Sequence, residues 1–162
     1  MSSLTVATVG VYGASLDSFL TTLADADVRL VIDVRQRRGV RGREYAWANS
    51  LRLQAALEAA SIEYRHHREL APTTELRHLQ YREDARLGEG KRSRSVLAPE
   101  YTRRYLTEIL DRVDMDAFAA SLPTESTSAL LCVERDARAC HRSLIAARLA
   151  REHGARIVDL LA

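Results

Sequence analysis

The chain has 162 residues, 46% hydrophobic and 28% charged, which predicts one globular domain with a single core and excludes fibrous, collagenous and wholly disordered classes. At this size the fold needs neither a metal nor a disulfide to hold it together. The formal charge is only +2, yet Lys91 is the one lysine among 24 basic residues, so the cationic chemistry is that of the guanidinium fork, which grips phosphate and carboxylate through paired donors.

No run approaches the length of a membrane span, and MSSLTVATVG lacks the basic and long apolar regions of a signal peptide. Two cysteines, Cys132 and Cys140, are too few for a secreted disulfide scaffold, so two thiols in a reducing cytoplasm are expected, with no membrane partner.

Strand and helix signals alternate along the chain. LTVATVGVYG reads as a strand ending in glycines, and SLDSFLTTLADA as a helix capped by Ser15 with Leu16, Phe19, Leu20 and Leu23 at helical spacing. RLVIDVR follows as a buried strand, then the Arg-rich loop QRRGVRGREYAW. A helix over LRLQAALEAA, capped by Asn49 or Ser50, turns Leu51, Leu53, Ala56 and Leu57 toward a core, and SIEYRHH is a third strand. Residues 71–98, with PTTE and LGEGKRSRS, have few apolar anchors and predict a mobile loop. A helix from Pro99 to about Val113 and a short one around DAFAASL lead to the last unit. There SALLCVE is a strand, Asp136 caps a long helix through CHRSLIAARLAREHG, and RIVDLL closes the chain. This is an α/β pattern: a mainly parallel, Rossmann-like five-stranded sheet flanked by helices, with ligands expected beyond the carboxyl ends of the strands.

Three groups could carry chemistry at that edge. Gly10 to Ser15 could turn backbone amides and a helix N-terminus toward a phosphate, although the sequence is neither GxGxxG nor a Walker loop and a plain βα turn explains it equally. Asp33 in a buried strand requires a partner, and Arg35, two residues on, is placed to be held by it as an anion clamp. Cys132, Glu134, Cys140, His141 and Arg142 span one strand-loop-helix turn. A helix N-terminus would favour Cys140 as thiolate, and Cys132 is the alternative nucleophile. Glu134, His141 and His67, at the end of the third strand, could transfer protons. The seven-residue gap between the cysteines is unlike C-x2-C spacing, so no metal site is expected. Cys132 to Arg138 also fits the C-x5-R of cysteine phosphatases, but Glu134 inside that loop would repel a phosphate.

TVG near the start, IDVR, IEYRHHREL, YTRRYL and LLCVERDARACHR together resemble the domain-of-unknown-function family 488 (DUF488) over nearly the whole chain, the CxExxxxxCHR element being the most specific. The resemblance implies a Rossmann-like domain and brings no reaction or cofactor with it. The chain departs from the family pattern at Val11–Gly13 and at Ala71–Pro72.

The leading expectation is a pocket for a phosphorylated or nucleotide-like anion, held by Arg35, Arg142 and His67, with Cys132, Glu134, Cys140 and His141 as catalytic groups. A second is a nucleic-acid-binding module that uses the Arg29–Arg43 and KRSRS segments, with Tyr45 and Trp47 stacking on bases. A third is a non-catalytic domain in which Glu134 and Arg142 form a buried ion pair.

Overall fold

The computed structural model describes residues 3–162. Five strands, β1 (Thr5–Val9), β2 (Val28–Asp33), β3 (Glu63–His66), β4 (Thr127–Leu131) and β5 (Arg156–Asp159), form one sheet in the order β3-β2-β4-β1-β5, with every pairing parallel. The α/β Rossmann-like expectation holds. The central strands are apolar on both faces, β4 being buried throughout, as a parallel sheet covered by helices requires.

The helices are α1 (Leu16–Asp25), α2 (Ser50–Ala59), α3 (Thr74–Arg86), α4 (Pro99–Glu108), α5 (Met115–Ala120) and α6 (Arg142–His153). The connections through α1 and α2 run toward β3 and those through α3 to α6 run back toward β5, so the right-handed crossover rule for parallel strands assigns the two sets to opposite faces of the sheet. β1 and β4 are neighbours, and the chain leaves them in opposite directions, toward β2 and toward β5. This is a topological switch point, where an open sheet leaves a crevice beyond its carboxyl ends.

Ser15 caps α1 in a reciprocal box with Ser18, which satisfies two of the amides that a helix start leaves unpaired. Several elements differ from the sequence reading. α2 begins at Ser50, but the Asn49 side chain accepts from the Val40 amide instead of capping it. Leu51 is 83% exposed, so Leu53 and Leu57 alone carry the buried face of α2. The stretch expected to be loop contains α3, thirteen residues long, capped by Thr73. α4 stops at Glu108, and a single 3-10 turn, Leu110–Arg112, follows it. Asp136 caps only a 3-10 turn, Ala137–Ala139. The long helix therefore starts at Arg142, and Cys140 and His141 precede it rather than sitting in its first turns.

Candidate functional site

The loops after β1, β2 and β4 meet at the switch point. The Val11 and Tyr12 amides both donate to the Val133 carbonyl, at 3.1 and 3.0 Å. Gly10 packs so closely that a Cβ there would lie 2.0 Å from the Glu134 carbonyl oxygen. The remaining amides of the first loop are also used: Gly13 donates to the Tyr45 hydroxyl, Ala14 to Val11 and Ser15 to the Ser18 hydroxyl. The loop is thus a closed βα turn, and its amides from Val11 to Ser15 are committed to protein acceptors rather than aimed at a phosphate.

Asp33 and Arg35 form the fully buried pair that the sequence pointed to. Arg35 Nε and Nη2 donate to the two Asp33 oxygens at 2.8 and 2.7 Å, and Nη1 donates to the Ala48 carbonyl at 2.9 Å. Tyr64 donates to the same carboxylate at 2.6 Å. Burial works against the Arg35 charge, but Asp33 outweighs it and holds the guanidinium above its ordinary value. Arg35 borders a cavity of about 650 Å³ over the switch point.

The walls of that cavity are strongly biased in charge. Arg35, Arg37, Arg41, Arg77, Lys91, Arg92 and Arg94 line it, against one carboxylate, Glu134. Tyr12, Tyr81 and Tyr101 supply aromatic surface, and Cys132, Glu134 and His141 lie at its floor. Arg92 stacks over Tyr12 and Tyr45, 5.0 and 5.2 Å from the ring centroids, and donates to the Arg41 carbonyl, so two Arg-rich segments far apart in sequence form one rim.

Sequence reasoning missed Asp84 and Gln80, and it read Arg94 only as part of the KRSRS segment rather than as a buried ion-pair partner. The Arg94 guanidinium donates to Asp84 at 2.8 Å, to Glu134 at 2.6 Å and to the Ala139 carbonyl at 3.0 Å. Asp84 also accepts from Gln80, whose amide oxygen takes the Ala98 N–H. The Gly-, Arg- and Ser-rich stretch before α4 is thereby strapped across the site. Burial opposes the Arg94 charge, but Glu134 and Asp84 more than compensate and raise it. Burial pushes the Glu134 carboxyl up, Cys132 adds to this, and Arg94 and His141 restore only part.

Cys132, Cys140 and His141 are brought together and buried. His141 Nε2 lies 2.8 Å from the Val34 carbonyl and Nδ1 lies 3.6 Å from Cys140 Sγ. A carbonyl can only accept, so Nε2 carries the ring proton and Nδ1 faces the sulfur. Hydrogen bonding to Cys140 and burial push the Cys132 thiol up to about 12. Burial works against the imidazolium, yet Cys132, Glu134 and the Val34 carbonyl together raise His141.

Two of the expected anion-binding residues lie elsewhere. Arg142 is 0% exposed and does not line the cavity; it donates to the Glu134 and Arg135 carbonyls at 2.7 and 3.2 Å. The expected Glu134–Arg142 ion pair is accordingly replaced by Glu134–Arg94, because Arg142 reaches the backbone and not the carboxylate. His67 packs edge-on against Phe118, bonds Glu69 at 2.7 Å and is not part of the cavity wall. Tyr45 and Trp47 are likewise engaged, Tyr45 by Tyr12, Gly13 and Arg92 and Trp47 by Phe19, and are not presented for stacking on bases.

No helix of the described residues is long and apolar enough to cross a membrane. A family model described as Domain of unknown function DUF488 matches residues 15–149. No curated protein and no solved structure matches the chain.

Proposed function

The chain belongs to the DUF488 family, and from the cavity that its fold builds we propose that it binds a phosphorylated or nucleotide-like small anion at the carboxyl edge of the sheet. The observation that carries this reading is the lining of seven cationic side chains against a single carboxylate. A volume of about 650 Å³ lies within the range of small-molecule sites. Arg35 and Arg94 are immobilised by Asp33, Asp84 and Glu134, so their positions are set before a ligand arrives and little ordering entropy remains to be lost. Arg37 and Arg41, both exposed and without a side-chain hydrogen bond or ion pair among the described residues, supply charge that no protein group neutralises. Glu134 in the cavity wall is the proton-transferring group that a reaction there would draw on, whereas hydrogen bonding to Cys140 and burial hold the Cys132 thiol up at about 12, too high for a poised nucleophile.

A second reading rests on a separate observation: Arg37, Arg41 and Arg43 are exposed along one loop, and Arg92 reaches that loop from the opposite side of the rim. Such a surface suits a polynucleotide backbone.

A thermal-shift panel of nucleotides, sugar phosphates, single strands and duplexes, run at about 50 and 200 mM salt, separates the two, because neutralising several phosphates makes binding steeply salt-dependent. At about 100 times its dissociation constant a ligand adds about 2.7 kcal/mol. A salt-tolerant shift from one small phosphate compound is the expected result. A shift from polynucleotides alone, lost at the higher salt, transfers the assignment to the second reading, and no shift from any compound overturns both.

A further inference from the structure

At the floor of the cavity, Cys132 Sγ, Cys140 Sγ and a ring nitrogen of His141 all lie within 4.8 Å of one another, and the three residues are buried. We propose that these side chains bind a thiophilic divalent cation, zinc by its chemistry, with the fourth coordination position open toward the cavity.

Two thiolates and an imidazole are a donor set that zinc selects over the oxygen-seeking cations. With Zn–S near 2.3 Å and Zn–N of about 2.0–2.1 Å, tetrahedral angles put a sulfur and a nitrogen ligand about 3.5–3.6 Å apart. His141 Nδ1 stands 3.6 Å from Cys140 Sγ. The ring is already oriented for this role, since Nε2 is committed to the Val34 carbonyl at 2.8 Å. That leaves the Nδ1 lone pair toward the sulfurs, the outer-shell arrangement by which a ligating histidine is held.

The seven-residue spacing that argues against zinc in the linear sequence is overcome by the path of the loop. Residues 133–139 double back from the end of β4 through a 3-10 turn, and Arg142 fixes that path by gripping the carbonyls of Glu134 and Arg135. Cys132 and His141 border the cavity, whereas Cys140 lies behind them, so an ion held by all three faces the cavity on its remaining side. Zinc sites that keep such a position bind water or a substrate oxygen there.

Glu134 supplies an independent observation. Glu134 lines the same cavity and its Oε1 accepts from Arg94, but its Oε2 is buried and has no hydrogen-bond partner. A buried carboxylate oxygen without a donor is costly, and a water on the open position of the ion is a donor of the required kind.

The test is cobalt(II) titration of the full chain, reduced and stripped of metal by a chelator under anaerobic conditions. Saturation at a single equivalent is expected, with a thiolate-to-cobalt charge-transfer band and the intense d–d bands of a tetrahedral site, all erased by zinc(II). Cys132→Ser and Cys140→Ser each lower cobalt affinity by about a hundredfold or more, since even outer-shell losses cost 10- to 100-fold. Glu134→Gln, which removes no ligand, keeps the bands. Should a serine variant fail to fold, the native protein carries the test, because bound zinc slows alkylation of both thiols. Absent or octahedral cobalt bands, bands that survive both serine substitutions, or alkylation at the same rate with and without zinc overturn the proposal.

Discussion

The Arg94 guanidinium donates to the Glu134 carboxylate at 2.6 Å across forty residues of sequence. With Asp84 on its other side, it ties α3, the segment before α4 and the loop after β4 into one buried network. All three side chains are less than a tenth exposed, so the pairing is shielded from the screening that makes surface ion pairs weak. Arg94→Ala leaves two buried carboxylates without their cation. The expected loss is about 3–5 kcal/mol. For a domain of this length that corresponds to a fall of roughly 10 °C in Tm, to be measured by differential scanning calorimetry. A loss below about 1 kcal/mol would place the network on a par with a surface pair and refute its role as a strap.

Arg142 makes a different prediction from the one its place in the CxExxxxxCHR element suggests. It is fully buried and holds two backbone carbonyls, so Arg142→Met preserves apolar volume but leaves both acceptors unpaired. Each buried unsatisfied group costs about 1–3 kcal/mol, and a loss of about 3 kcal/mol in chemical denaturation is expected. Anion affinity of the protein that remains folded should change less than it does on removing a cavity arginine. The reverse ranking would return Arg142 to the role of clamp.

The sheet is legible in the sequence because β1, β2 and β5 carry β-branched residues, β4 ends in an apolar run and turn residues separate the elements, and the convergence of Cys132, Glu134, Cys140 and His141 follows from one strand-loop-helix turn. α3 is not legible, since its buried positions are Leu76, Gln80 and Asp84, and a helix that buries an amide and a carboxylate shows no apolar stripe. Arg94 is hidden for a related reason: its partners lie 10 and 40 residues away, and no local pattern records a pairing of that range. The Asp136 cap can be read from the sequence, but it opens a single 3-10 turn that ends in an extended Cys140, a break that helix propensity alone does not reveal.

Gly10 tests the closeness of the two loops directly. A methyl group at this position would meet the Glu134 carbonyl at 2.0 Å, and backbone, unlike a flexible side-chain tip, cannot step aside. That carbonyl is also held by Arg142. Gly10→Ala is expected to cost about 3 kcal/mol, the upper end for overpacking, and to weaken anion binding by displacing Glu134. Unchanged melting would show that the loops separate freely.

Arg37 and Arg41 give the complementary case, in which binding changes and stability does not. Both are exposed and line the cavity, so Arg37→Ala and Arg41→Ala should alter stability by no more than about 0.5 kcal/mol. A hydrogen bond to a charged group is worth about 1.5–3 kcal/mol, so each substitution that removes a ligand contact should lower affinity by about tenfold or more. Isothermal titration calorimetry with the compound identified by thermal shift reads this. Full affinity in the double variant would remove the outer rim from the binding site.

Tyr64 contributes to the loss of stability at alkaline pH, alongside the more deeply buried Cys132, Tyr101 and Tyr105. Burial raises its phenol above the ordinary value, Arg38 opposes that rise, and donation to Asp33 at 2.6 Å adds to it, so that the net shift is upward. A group protonated more strongly in the folded than in the unfolded chain makes folding take up protons. The Tyr64 contribution is therefore constant below the unfolded value near 10 and falls as pH rises above it, where the unfolded phenol ionises first. Tyr64→Phe should lose some stability at neutral pH, because Asp33 loses a donor, while showing a shallower decline between about pH 10 and 11. Urea denaturation of both proteins across that range measures the difference in slope, and parallel curves would show that the Tyr64 phenol ionises alike in the folded and unfolded chains.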